Sequence, residues 1–506
     1  MRRSLTKNIG AHIVGRVYTA AIGFAFVPIY LHFLGVEKYG LFALLNSYMA
    51  AAALLDLGFS FAMTRQVARL SEVAPERMRD LVVTIGLPYC IAALLIAGAI
   101  YVLSSWITSV AIAADPGLPR QAVARAVGFA GFALTLQLPI FLFSGGLAGL
   151  QRQDLASAVT IFAVTLRHGV ALLLLSRGLD SVEVLMASQA VVAGLGGAAA
   201  FIVLWAQLPF ARDGARFRPA LLLEAWGFAA SVTTISICGT VVLQSDKAII
   251  GAVLPLREVG VYMLASTVAS NLLMLSQPVI TVALPRFTQL AAARDWSTSQ
   301  LTFQSLSQIL AWMVLPVAVT IAALPHQALF AWTGNTSLAA RASAPLSLLA
   351  LGAGFSICDV GYALILARGQ AARFAILTLV VSVVTVPTVY LATVHFGIVG
   401  AAAGMCAFFA GEFVICAIML VHLVGSQEWS RWILKDVLAP FALMAAIAGL
   451  IAEWGPSSPA RGDALAELAL TWLLGVVAFT LVLPMIRRKA LWFWSQLWRR
   501  SFRPIH

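Results

Sequence analysis

An all-α polytopic membrane protein is the fold class this sequence predicts, and three observations predict it. Hydrophobic residues make up 61% of the 506 and charged residues 11%, with a mean hydropathy of +0.93. No soluble core could bury so much apolar surface. Apolar runs long enough to cross about 30 Å of hydrocarbon recur along almost the whole chain. The second half then opens as the first one does: setting Gly40 on Gly260 aligns YGLFALLNS with VGVYMLAST.

The apolar runs lie at roughly 8–35, 39–63, 80–106, 122–149, 155–176, 182–207, 225–254, 259–284, 302–325, 342–366, 373–395, 398–424, 433–453 and 465–486, which makes about fourteen helices. Strands are excluded, because an open sheet edge cannot sit in lipid. The longest connection between the first twelve runs, LPFARDGARFRPALL at about 208–222, separates a six-helix bundle at 1–207 from a second one at 223–424. With six spans each, both bundles enter from the same side, so a pseudo-two-fold along the membrane normal relates them. GLQR at Gly149–Arg152 and ARGQ at Ala367–Gln370 fall at the same fourth-to-fifth junction of each bundle. Two extra helices follow at 425–490. The tail at 491–506 carries Trp492, Trp494, Trp498 and several arginines, as a segment lying in the membrane interface does.

Sidedness follows from the basic connections. Arg2, Arg3 and Lys7, the arginines at 65, 69, 77 and 79, those at 212–218 and the C-terminal cluster all fall on one side. The opposite side receives few, in a ratio of roughly three to one, which places both termini in the cytoplasm. The net charge of +12 is thus largely a topology signal and makes no claim on nucleic acid. Cys90, Cys238, Cys358, Cys406 and Cys416 are scattered inside apolar runs without metal-ligand spacing and read as packing residues. Gly145 with Gly149, and Gly400 with Gly404, read as close helix contacts.

Motifs for nucleophilic, zinc or nucleotide chemistry are absent, and the external connections near 107–121 and 454–464 hold no histidine. A membrane glycan polymerase or ligase needs a larger outer catalytic loop, so the chain is not expected to be an enzyme. What the sequence offers is polarity at bilayer depth, where ionisable groups are costly and face a bundle interior or a wet cavity. These groups are Arg16, Asp56, Arg167, His168, Asp246, Lys247, Asp359 and Glu412. The seventh helix carries a stripe of Thr233, Ser236, Thr240, Gln244 and Lys247, and the eighth one of Ser266, Ser270, Gln277 and Thr281. Asn8, His12, Arg16 and Thr19 form a matching stripe in the first helix, so two polar faces would meet in a central cavity. Bland readings stand beside these. Asp56 precedes Gly58 as a helix-terminal residue would, Lys247 either lines the cavity or reaches the outer headgroups, and Asp359 and Glu412 are either ion-coupling groups or partners of a base.

The segments LTKNIGAHIVGRV, IYLHFLGVEKYGLFALLNS and LLDLGFSFAMTRQVARL resemble the polysaccharide-biosynthesis flippases, O-antigen flippases among them, of the multidrug/oligosaccharidyl-lipid/polysaccharide exporter superfamily. The resemblance covers about the first 425 residues, and the last two helices fit the family's fourteen-span variant. Its LG-x-x-x-YG pattern falls on Leu34, Gly35, Tyr39 and Gly40, and its D-x-x-I-I pattern on Asp246, Ile249 and Ile250. The second-half copy has Pro255 and Val259 in place of that glycine and tyrosine, so exact symmetry is not expected. The resemblance implies two bundles that alternate between inward- and outward-open states in a bacterial inner membrane. It implies a polyprenyl-pyrophosphate-linked oligosaccharide as cargo, for cell-surface polysaccharide such as lipopolysaccharide, and glycan polymerase or assembly proteins as partners. Arg16, Arg167, His168 and Lys247 would then hold the anionic headgroup, with Gln244, Thr240, Ser236, Ser270 and Gln277 on the sugars and the prenyl tail left in membrane lipid. Asp56, Asp246, Asp359 and Glu412 are the candidates for coupling to H+ or Na+, and no other cofactor is expected. The alternative reading within the same superfamily is a drug/cation antiporter.

Overall fold

The computed structural model describes residues 2–50, 55–113, 117–209, 215–223, 242–454, 460–484 and 486–487, and no strand occurs among them. The chain falls into two compact units, Met1–Met263 and Leu264–His506. In lipid every backbone N–H and C=O must be satisfied within its own segment, and the helices do this throughout. Among the described residues, eleven stretches are long and apolar enough to cross a membrane. Two of these are double. Arg2–Ala50 changes helix at Gly35 (φ 71°), and Ala371–Val424 does so at Gly397 (φ 62°), a left-handed conformation that glycine adopts without strain. The seventh run is described only for 242–254, helical over 242–253. With the two doubled stretches, thirteen of the fourteen predicted spans are found among the described residues. Ser236 and Thr240 lie outside the described residues.

Three sequence expectations need correction. Span 2 does not end near 63 but continues as a second helix, Phe59–Val73. The connection expected near 107–121 contains the helix Ser104–Ala111. The stripe drawn through Ser266, Ser270, Gln277 and Thr281 is not one helix face, because Leu256–Leu273 and Gln277–Ala292 are separate helices.

That last break belongs to a pattern. Four spans are interrupted: span 2 at Asp56–Gly58, span 4 at Gln137, span 8 just before Gln277, and span 10 at the 3-10 turn Phe355–Cys358. Under the alignments read from the sequence, the break in span 2 falls on that in span 8, and the break in span 4 on that in span 10. The causes are local. Leu57 (φ 49°) and Gly58 (φ 72°) are left-handed. Pro139 and Pro278 stand at the second position of the helices that restart after the breaks, where each lacks the N–H that would continue the ladder. The segments after the breaks also pair alike, Phe59–Val73 on Leu138–Gly149 in one unit and Gln277–Ala292 on Asp359–Ala367 in the other. Gly145 permits the first pairing: a Cβ there would lie 2.5 Å from the Ser60 carbonyl oxygen, and the Thr64 hydroxyl donates to the Gly145 carbonyl at 2.9 Å. Gly400 and Gly404 meet Ala392 and Val389 as closely, so both glycine pairs serve packing.

The aligned pair Gly40 and Gly260 is in mutual contact. A Cβ on Gly40 would stand 2.2 Å from the Leu256 carbonyl oxygen, and one on Gly260 would stand 2.4 Å from that of Val36. Val36 and Leu256 are themselves equivalent under the same alignment, so the contact within this unit is reciprocal. The backbones touch where only glycine fits.

Within each unit, ion pairs and caps join span ends expected on one side of the membrane. Arg218 binds Asp80 at 2.5 Å, and Arg152 reaches Gln207 at 2.7 Å. At the opposite ends Lys38 meets Asp180 and Arg125 meets Glu183, at 2.5 and 2.9 Å. In the second unit, Arg461 donates to the carbonyls of Ala331 and Trp332. The protein is a multi-pass membrane protein.

Candidate functional site

Arg167 is a half-buried base in the middle of the helix Gln153–Ser176. Its guanidinium Nη2 donates to the Gln137 side-chain oxygen at 2.7 Å. Gln137 sits at the interruption of span 4, so the break delivers an amide to the arginine. The next residue, His168, shares a hydrogen bond of 2.8 Å between Nδ1 and the Tyr30 hydroxyl, and its ring lies 4.7 Å from that of Phe26. Tyr30 is buried, with its ring 4.8 Å from Phe42. Spans 1, 4 and 5 thus converge on a cation held by neutral partners. Among the described residues no carboxylate forms an ion pair with Arg167. A half-buried cation lacking a counter-ion favours an anion brought to it.

Arg16 does not join this group. It is exposed on span 1, fourteen residues before Tyr30, about 21 Å along the helix axis. Two residues on, the Tyr18 hydroxyl meets Thr165 at 2.8 Å. Near the end of span 7, Lys247 donates to the Leu243 carbonyl at 2.9 Å and to Asp246 at 3.2 Å. Asp246 also accepts from the buried Tyr262 hydroxyl at 2.6 Å. The two sequence neighbours therefore pair, and both are satisfied locally. Gln244 is half-buried, and its side-chain oxygen lacks a hydrogen-bond partner. Asp56 is a helix-terminal residue. It accepts from the Ser60 amide (3.2 Å) and hydroxyl (2.6 Å) and from the Tyr89 hydroxyl at 2.5 Å. The carboxylate fills donors that the break in span 2 exposes.

The second unit places Asp359 and Glu412 together. Asp359 begins the helix after the 3-10 turn of span 10, against the Ser276 hydroxyl at the break of span 8. Glu412 on span 12 lies near enough for the two charges to interact. No base forms an ion pair with either among the described residues. Ser270 and Gln277 are exposed on the two helices of span 8.

Sequence reasoning missed Gln137, Tyr30, Tyr89 and Tyr262. Gln137 had a signal, a lone amide two residues before a mid-span proline. The tyrosines had none, because each acts through a partner remote in sequence. No group of described residues could hold a metal ion through His, Cys, Asp and Glu.

Comparison with known proteins agrees with this architecture. The family described as polysaccharide biosynthesis protein matches residues 5–291. The chain belongs to that family. Among solved structures it is similar to the lipid II flippase MurJ in an inward closed conformation, with a TM-score of 0.73 at 12% identity over 93% of this chain and 97% of that one. It is also similar to an inward-facing multidrug resistance MATE transporter of the MOP superfamily, with TM-score 0.61, 14% identity and 80% and 95% covered. It is similar as well to a MOP superfamily transporter from Pyrococcus furiosus with a binding pocket of reverse polarity, at TM-score 0.52 and 14% identity over 85% of this chain and 96% of that one. At these identities the likeness is one of fold. No curated protein matches the chain.

Proposed function

We propose that this protein is a flippase that carries a polyprenyl-pyrophosphate-linked oligosaccharide from the cytoplasmic to the outer leaflet by alternating access. The observation that carries the reading is Arg167, a base in mid-span whose described partner is the neutral Gln137 amide. A pyrophosphate cannot cross hydrocarbon unaided, and a fixed cation with spare donors is the group that receives it. The same group repels an organic cation, which favours lipid-linked glycan over the drug/cation antiporter. The family assignment and the MurJ-like fold support the reading.

Arg167 holds the pyrophosphate, with Tyr30 and His168 bracing its surroundings. Gln244, Ser270 and Gln277 are the described candidates for sugar contacts, and the prenyl tail stays in lipid. Asp359 and Glu412 are the ion-coupling pair, since Asp56 and Asp246 have hydroxyl or ammonium donors of their own. Occupation of the pair by a proton or Na+ would bias one state over the other. The basic-side bias puts both termini in the cytoplasm of a bacterial inner membrane, beside the polymerase and assembly proteins that use the product.

Purified protein in nanodiscs tests the choice of cargo. Short-chain polyprenyl-pyrophosphate oligosaccharide should bind wild type and lose affinity with Arg167→Gln. Tight binding of tetraphenylphosphonium, unaffected by that substitution, would move the assignment to the cation antiporter.

A further inference from the structure

A cleft of about 420 Å³ opens between spans 3, 4 and 6 of the first unit, away from the Arg167 group. Every residue lining it is apolar, apart from the thiol of Cys90. Apolar cavities do not hold water. Its flanks face outward: Leu87 and Leu94 are 55% and 52% exposed, and Ile91, Leu95, Val191, Leu195 and Ile202 around them are exposed as well. A face of this composition in a membrane protein meets hydrocarbon.

Length identifies the occupant. The lining on span 3 runs from Val82 to Leu94, twelve residues or about 18 Å of helix. Half of an about 30 Å bilayer core is about 15 Å, the depth of one leaflet. Charge identifies its other end. Arg79 lies one turn before Val82, its guanidinium 4.8 Å over the Trp205 ring while its Nη2 donates to the Leu208 carbonyl at 3.4 Å. Trp205 in turn lies 5.4 Å from Phe201, which lines the cleft. An arginine braced on an indole at the rim of a hydrocarbon slot is an arrangement for a phosphate above an acyl chain. Its neighbour Asp80 does not oppose an anion, because Arg218 neutralises it.

We propose that this cleft binds an anionic phospholipid, its tail between spans 3, 4 and 6 and its headgroup at Arg79. The tail would press on Leu136 and Pro139, which line the cleft and bracket Gln137, so the lipid buttresses the break that presents an amide to Arg167. The site stands whatever cargo the protein carries.

The test uses the full chain in phosphatidylcholine nanodiscs with a trace of phosphatidylglycerol or phosphatidylcholine bearing a diazirine in mid-tail. Cross-links are mapped by mass spectrometry. A single basic contact contributes about 1 kcal/mol, so phosphatidylglycerol should label 87–94 and 194–201 roughly fivefold more than phosphatidylcholine. Arg79→Gln should bring the two lipids to parity. Gly194→Leu should abolish labelling there while leaving Leu172 and Leu173 on span 5 labelled; a Cβ on Gly194 has its nearest neighbour 3.9 Å away, so the substitution has room. Should that variant fail to fold, competition on wild type decides. Displacement of the label by unlabelled phosphatidylglycerol supports the site. Equal labelling by both lipids in wild type overturns it, as does displacement by polyprenyl pyrophosphate at lower concentration than by phosphatidylglycerol.

Discussion

Replacing Arg167 by leucine separates a structural role from a transport role, because the structure fixes what each loses. The guanidinium bonds Gln137 at 2.7 Å. Arg167→Leu strands that amide oxygen, which costs about 1–3 kcal/mol of stability where water cannot reach it. The double variant Arg167→Leu/Gln137→Leu removes both partners and should recover most of that loss. Transport should behave differently. Each charge-assisted bond to pyrophosphate is worth about 1.5–3 kcal/mol, so cargo affinity falls roughly 10- to 150-fold in the single variant and stays low in the double one. Arg167→Lys keeps the charge without the planar fork and should fall between. Thermal unfolding in detergent reads the first effect. The second is read by flipping of a fluorescent polyprenyl-pyrophosphate oligosaccharide in proteoliposomes. A double variant that is stable and flips at the wild-type rate would refute the assignment of Arg167 to the headgroup.

Other outcomes follow from the same geometry. Gly40→Ala and Gly260→Ala each drive a Cβ into a backbone carbonyl, so both should lower stability by about 1–3 kcal/mol and by similar amounts; a harmless substitution at either would deny the close contact. Tyr262→Phe and Tyr89→Phe each remove one donor from a buried carboxylate that keeps another, Lys247 on Asp246 and Ser60 on Asp56, and each should cost about 1–3 kcal/mol; no loss of thermal stability in either would contradict these contacts. Asp359→Asn and Glu412→Gln should leave cargo binding intact while abolishing the dependence of flipping on an imposed proton or Na+ gradient; unchanged gradient dependence in both would remove the pair from coupling. The Lys38 ammonium holds the Asp180 carboxyl below its ordinary range. The stabilisation from this pair is therefore present above about pH 4 and lost as pH falls below that. Both groups are partly exposed, so Asp180→Asn should cost no more than about 1 kcal/mol at neutral pH and nothing in strong acid. A cost that grows on acidification would contradict the sign.

Much of the architecture was legible in the sequence, because a bilayer imposes length and polarity on every span. The all-helical fold and the apolar runs follow from those two constraints. The breaks were less legible. Pro139 and Pro278 mark two of them, but Pro28, Pro88, Pro316 and Pro387 sit in uninterrupted helices. A proline alone therefore does not say whether its neighbours restore the ladder. Ionisable residues were found by type and depth, and their roles were not. Asp56 and Asp359 look alike in one dimension. They differ because the first meets Ser60 and Tyr89, while the second meets a serine and another carboxylate. Likewise Arg16 and Arg167 read as one headgroup site in the sequence, yet Arg16 is exposed about 21 Å along span 1 from Tyr30, the residue that bonds Arg167's neighbour His168.

The sidedness of lipid-linked glycan in cells depleted of this protein decides whether it is a flippase. Polyprenyl-linked oligosaccharide should accumulate in a form accessible only from the cytoplasmic face, and re-expression of the wild-type chain, but not of Arg167→Leu, should clear it. Normal outer-face glycan in depleted cells, with altered sensitivity to organic cations, would contradict the flippase reading.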